Sequence, residues 1–272
     1  MDDHEKRVSV FPSAARDAQA ATRIPSTPQT RDPAYRLAFA DIDFLRREEL
    51  RPVRLQLELL KPELMLGERN ITSTVVMFGG ARIAADPAAA RTPKMAELSR
   101  YYEEARRFAR LASQESLARG GGEFVVVTGG GPGVMEAGNK GAHEVGAASI
   151  GLNIVLPHEQ APNAYVTPEL SFNFHYFGIR KMHFLMRACA VAVFPGGFGT
   201  MDELFETLTL IQTRRMAPIP VLLFGEAFWR GVINFDALTE AGTISAEDLS
   251  LFSFVETAEQ AWALVAEAHG LA

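Results

Sequence analysis

Short β-branched runs that end in glycine, separated by charged helical stretches, are the feature that most limits what this chain can fold into. "TVVMF" (74–78) runs into Gly79 and Gly80, and "FVVVT" (124–128) runs into Gly129, Gly130 and Gly131. "ASIGLNIVL", "AVAVF" (190–194) and "IPVLLF" (219–224) continue the series. None of these runs alternates strictly with polar residues, so each expects cover on both faces. Helical patterns fill the intervals, at 95–118, from "VMEAGNKGAHEV", at 177–188, from Thr200 and at 227–238. Strand and helix in alternation indicate a parallel sheet between two helical layers. The expectation is an α/β, doubly wound parallel sheet with helices on both faces.

The chain is organised around that core. Residues 1–34, rich in Ala, Ser, Thr, Pro and charge, read as a mobile tail. Residues 35–70 read as an N-terminal helical extension broken near Pro52 and Pro62, and residues 71–272 as the main domain. With 47% hydrophobic residues the composition is globular, and no long uncharged apolar run offers a membrane span. A net charge of −6 disfavours a nucleic-acid partner, whose phosphates want a basic face. Cys189 is the lone cysteine, which excludes an internal disulfide and a cysteine-based metal cluster. His158, His175 and His183 have no metal-ligand spacing around them. The N-terminus has no continuous apolar signal core, so the expected setting is cytoplasmic.

Two glycine loops join strand ends to helix starts. They are "TGGGPGVME" (128–136) and "PGGFGT" (195–200). Free N–H groups and the positive dipole end at a helix N-terminus attract anions, and glycines let the backbone come within hydrogen-bonding distance. Neither loop is a Walker A sequence, and Pro132 interrupts a dinucleotide fingerprint in the first. Tight turns without a ligand would use the same residues. Two such loops on neighbouring strand ends suit a mononucleotide or a sugar phosphate.

Glu203 has two readings. Thr200-x-x-Glu203 has the form of a capping box, in which Glu203 only satisfies a backbone N–H. With Met201, Leu204, Phe205, Leu208 and Ile211 as the buried stripe, Glu203 also points away from the core beside the loop. There a carboxylate could hold ribose hydroxyls or act on water. Arg180 and Lys181, near the start of the 177–188 helix, oppose its dipole, which either full solvation or a bound anion would account for.

The pattern "PGGFGTMDE", with Arg180-Lys181 and "TGGGPGVMEA", resembles the LONELY GUY family, long labelled possible lysine decarboxylase. The resemblance covers about residues 74–268, and every fixed position of Pro-Gly-Gly-x-Gly-Thr-x-x-Glu matches. It implies a Rossmann-like fold, a homodimer or larger assembly, and hydrolysis of the N-glycosidic bond of adenine-type nucleoside 5′-monophosphates. It implies catalytic roles for Arg180 and Glu203. It implies substrate or phosphate binding by Gly130, Gly131, Gly133, Val134, Met135, Glu159, Lys181, Gly196, Gly197, Phe198, Gly199, Thr200 and Thr209. The chain departs from plant-type members at Phe177-Gly178 and Ala188-Cys189, and "FGGAR" places Arg82 near the phosphate crevice.

Three activities follow from these residues. The first is hydrolysis of AMP or a cytokinin ribotide to free base and ribose 5-phosphate, with no cofactor and no metal. The second is a nucleotide carrier or sensor without turnover. Decarboxylation, the third, needs a Schiff-base lysine with a partner for the cofactor ring nitrogen. The lysines are Lys6, Lys61, Lys94, Lys140 and Lys181, and only Lys181 is well placed, where phosphate explains it better.

Overall fold

β1 (Thr74–Phe78) is buried along its whole length and forms the middle of a sheet in which every pairing is parallel. The computed structural model describes residues 11–157 and 161–271. The chain divides into two units, residues 1–57 and 58–272. In the first unit lie α1 (Ala14–Ala21), within the stretch expected as a tail, α2 (Pro28–Arg31) and α3 (Ile42–Leu45). α1 starts at Ser13, whose side chain accepts from the N–H of Arg16.

α4 (Arg51–Glu68) follows, and it runs through Pro62 rather than breaking there. After β1 come α5 (Pro93–Leu98), α6 (Arg100–Ala118), β2 (Val125–Thr128), α7 (Val134–Glu144) and β3 (Ser149–Ile154). Next are β4 (Ser171–Phe174), α8 (Phe177–Leu185), β5 (Ala188–Val193) and α9 (Phe198–Gln212). The chain ends with β6 (Val221–Phe224), α10 (Glu226–Val232), α11 (Phe235–Glu240), β7 (Ser253–Val255) and α12 (Ala258–Ala268). The capping box expected from Thr257 and Gln260 opens α12.

The strand order is β4-β3-β2-β1-β5-β6-β7. The chain moves outward from β1 through β4, then returns to lay β5 against the other side of β1. Val76 pairs with Val191 and Phe78 with Val193 across that seam. Alternate strand residues feed opposite cores, as the two-residue period requires. Val75, Met77, Ala190 and Ala192 pack with Phe108 of α6, Ala137 of α7 and Val265 of α12. Val76, Phe78, Val191 and Val193 pack with Leu66 of α4, Phe184 of α8 and Leu204 of α9. β4 and β7 are edge strands that the run pattern did not reveal, because β4 reads Ser-Phe-Asn-Phe and β7 has three residues. Cys189 lies buried at the start of β5, where its thiol donates to the Thr74 carbonyl (3.2 Å). Burial pushes that thiol up to about 11.

Phe108 is fully buried, its ring edge-on to Phe224 and Trp262. Phe108→Ala is expected to cost about 3–5 kcal/mol in denaturant unfolding, through lost transfer energy and the cavity left behind. Leu117→Ala, at a site on α6 that is 44% exposed, is expected to stay within about 0.5 kcal/mol.

Candidate active site

β1 and β5 diverge into opposite connections at their carboxyl ends, and in open parallel sheets such a switch point forms a ligand crevice. A cavity of about 280 Å³ occupies it. Its walls include Gly79 and Gly80 after β1, Gly129 after β2, Met135 of α7, Arg180 and Phe184 of α8, and Gly197, Gly199, Thr200, Asp202 and Glu203 around the start of α9. The loops that follow β1 and β5 touch through the backbone, with the Gly80 N–H donating to the Pro195 carbonyl (2.9 Å).

The glycines divide by task. A Cβ on Gly196 would lie 2.1 Å from the Thr200 hydroxyl oxygen, so this glycine lets the loop close on its own helix. Gly197 and Gly199 face open space, which leaves that backbone approachable. A Cβ on Gly129 would meet the Arg180 Nη2 at 2.7 Å, so the loop after β2 is bare where the guanidinium lies.

Arg180 is held from several sides. Its Nε donates to the Leu152 carbonyl on β3 (2.7 Å), and its guanidinium lies 5.1 Å from the Phe184 ring centre. Phe184 in turn packs edge-on against Phe78 at the end of β1 (4.9 Å). Lys181, by contrast, does not line the cavity. Its Nζ reaches Asp202 (3.1 Å) and Glu206 (2.8 Å) on α9, which ties α8 to α9. Burial lowers its pKa, but hydrogen bonds with Glu206 and Asp202 outweigh that and hold it above the ordinary lysine value.

α9 begins at Phe198 with Gly197 as its N-cap, and no side chain caps it. Thr200 is therefore the third helical residue, and the expected capping box with Glu203 is not formed. Nor does Glu203 point away from the core. It is 7% exposed, on the same face as Thr200, Leu204, Thr207 and Ile211, while Phe205 of the expected stripe is 40% exposed. The face is rotated because Thr207, whose hydroxyl donates to the Glu203 carbonyl (2.7 Å), buries as readily as a valine would. Burial pushes the Glu203 carboxyl up to about 7, against the opposing pull of Arg180 and Lys181 and with help from Glu206 and Asp202.

The structure gathers Arg180, Glu203, Met135, Gly197, Gly199 and Thr200 around one cavity. Arg82, Gly196 and Phe198 line a neighbouring, largely apolar cavity of about 610 Å³, which shares Gly80, Ala81 and Gly197 with the first. Gly130, Gly131, Gly133 and Val134 are buried beneath the crevice. The Asn163 amide donates to the Gly130 and Gly131 carbonyls (3.0 Å each), so that loop is anchored inward. Thr209 is exposed and its hydroxyl donates to the Phe205 carbonyl (2.6 Å), away from the cavity walls. Glu159 lies outside the described residues. Gly129, in the first glycine loop, lines the cavity too; Gly79, Gly80 and Phe177 line it without having been assigned to the site, although the glycines that end β1 were the signal for the first two. Among the described residues no group of three or more His, Cys, Asp or Glu side chains could hold a metal, and no helix is long and apolar enough to cross a membrane.

Glu203 ties stability to pH. Its folded pKa lies above the ordinary carboxylate value, so the folded state binds the extra proton and loses stability as pH rises through about 7. Glu203→Gln keeps the shape without the charge. The variant is expected to gain stability relative to the parent between about pH 4.5 and 7 and to level off above, by up to about 3 kcal/mol. Melting curves of both proteins across that range measure it.

No curated protein matches the chain. Solved structures similar in outline include two molybdenum cofactor proteins. One is the molybdenum cofactor binding protein from the phototrophic bacterium Rippkaea orientalis, at 16% identity over 72% of this chain and 96% of that one, with a TM-score of 0.47. The other is the molybdenum cofactor carrier protein from Chlamydomonas reinhardtii, at 18% identity over 73% of this chain and 99% of that one, with a TM-score of 0.47. Residues 135–265, just under half of the chain, match the family model described as "Possible lysine decarboxylase". Its relation to that family is thus carried by the stretch that begins in α7 and ends in α12, and that holds Arg180, Glu203 and the second glycine loop.

Proposed function

We propose that the crevice binds a purine nucleoside 5′-monophosphate and hydrolyses its N-glycosidic bond. One observation carries the reading: a carboxyl that titrates near neutrality is buried in the wall of a cavity, with Arg180 beside it and an open glycine backbone at a helix start. The uncapped N–H groups of α9 and the Thr200 hydroxyl suit the phosphate. The bond from the ribose C1′ to the base nitrogen breaks with its electron pair leaving on the base, and water adds to C1′. The Glu203 carboxylate stabilises the cationic ribosyl group that develops and orients the water, whose proton passes through it to the base. Arg180 holds the phosphate or the departing base.

A second reading is a carrier or sensor that binds the nucleotide without turnover. The observation on its side is Lys181, which the pattern assigns to phosphate and which is engaged by Asp202 and Glu206 instead. In either reading the protein is cytoplasmic and works as a homodimer or larger assembly, to which Leu60 and Leu64 on α4 and Phe205 on α9 offer exposed apolar surface. A concentration-independent monomer in light scattering would remove the assembly.

Calorimetry with AMP and chromatography of the same mixture decide between the readings. Hydrolysis gives free adenine from AMP, or an N6-substituted adenine from its ribotide, with adenosine a much poorer substrate because phosphate contacts supply the positioning. Binding without release of base from any purine monophosphate establishes the carrier, and absence of binding sinks both. For the hydrolase, kcat/KM rises as pH passes through about 7, where Glu203 ionises. Glu203→Gln loses on the order of a hundredfold or more in rate, loses that pH dependence and keeps most of its AMP affinity.

A further inference from the structure

α8 begins under an electrostatic handicap. Its N-cap, Tyr176, does not cap the helix with its side chain, its first turn carries no acid, and Arg180 and Lys181 follow close behind. A helix N-terminus is the positive end of the dipole, so cations there are repelled. The compensation comes from a distant element. The Glu58 carboxylate on α4 accepts the His175 N–H with one oxygen (2.8 Å) and the Tyr176 N–H with the other (3.0 Å).

The same residue is fixed through its backbone. Pro62 has no N–H, so the carbonyl four residues before it, that of Glu58, lacks its partner inside α4. His183 Nε2 on α8 donates to that carbonyl (3.2 Å). A turn further along, Glu63 bonds Arg187, just past the far end of α8. Glu58 therefore meets α8 twice, at the two residues that lead into it and at its buried histidine. Both contacts act on the helix that places Arg180 in the crevice.

We propose that Glu58 is a positioning residue for the candidate active site: by closing the N-terminus of α8 it sets where Arg180 lies relative to Glu203. Glu58 touches neither cavity and no reacting atom; it acts through the helix. The consequence for turnover rests on the hydrolase reading above, whereas the consequence for Glu203 does not. Around the Glu203 carboxyl stand Arg180 and Lys181 from α8, and Asp202 and Glu206 from α9. Displacing α8 withdraws both cations and leaves both acids in place.

The test follows the Glu203 carboxyl by carbon-13 NMR titration in the full chain, with its signal assigned by its loss in Glu203→Gln. In Glu58→Ala the titration midpoint should move upward by about half a pH unit or more, as the favourable cations recede. AMP affinity should fall about tenfold, the loss of one charge-assisted hydrogen bond's worth of positioning. Glu58→Gln keeps one accepting oxygen and should show the same changes in smaller measure, so it decides the matter if Glu58→Ala does not fold. Val265→Ala, in the core on the opposite face of the sheet, should lower the melting temperature without moving the midpoint. An unchanged Glu203 midpoint in a folded Glu58 variant, whatever its melting temperature, overturns the proposal. If the parent binds AMP but releases no base, the hydrolase reading falls and the titration still reports on Glu58.

Discussion

Parallel pairing of β1 with β5 is the constraint from which the rest of the main unit follows. Once those strands lie side by side, their carboxyl ends must feed helices that leave in different directions, and a crevice opens between them. Both strands are buried on both faces, so neither can slip by a residue without turning one core into the other. The bond from the Gly80 N–H to the Pro195 carbonyl carries the pairing one step past the strands, into the loops themselves. The glycines are thus first a packing device. Only where no neighbour fills the space, at Gly197 and Gly199, does the missing side chain leave backbone within reach of a ligand.

Charge is distributed in the crevice against local preference. α8 presents cations at its positive end and α9 presents a carboxyl that is almost out of water, and each arrangement is unfavourable by itself. Together they moderate one another, since Arg180 and Lys181 draw the Glu203 pKa down while burial pushes it up. The outcome is a group poised to exchange a proton near neutral pH. Sites with chemistry to perform commonly hold such groups.

Much of this was legible in the sequence. The apolar runs located the five inner strands because a strand covered on both faces has no polar alternation to disguise it. The glycine loops marked the crevice because close backbone contact excludes every other residue. The remainder depended on partners distant in the chain. β4 and β7 gain their place from pairing at a sheet edge, and Pro62 can stay inside α4 because His183, far away in sequence, bonds the carbonyl it leaves unpaired. Glu203 looked like a cap because Thr200-x-x-Glu203 fits that pattern, but the helix had already begun at Phe198. Lys181 looked like a phosphate ligand until the side chains of Asp202 and Glu206, one and two turns along a different helix, were brought against it.

Cys189 has a consequence of another kind. Its thiol is buried where β5 begins, bonded to the Thr74 carbonyl on β1, and its ionisation is held far above neutral pH. Thiolate is the reactive form, so alkylating reagents and oxidants meet an inert sulfur while the two strands stay together. It becomes reactive only in molecules whose central seam has come apart. The chain therefore carries its own clock: the rate at which one thiol is consumed counts how often the middle of the sheet opens, whether or not the crevice above it is occupied.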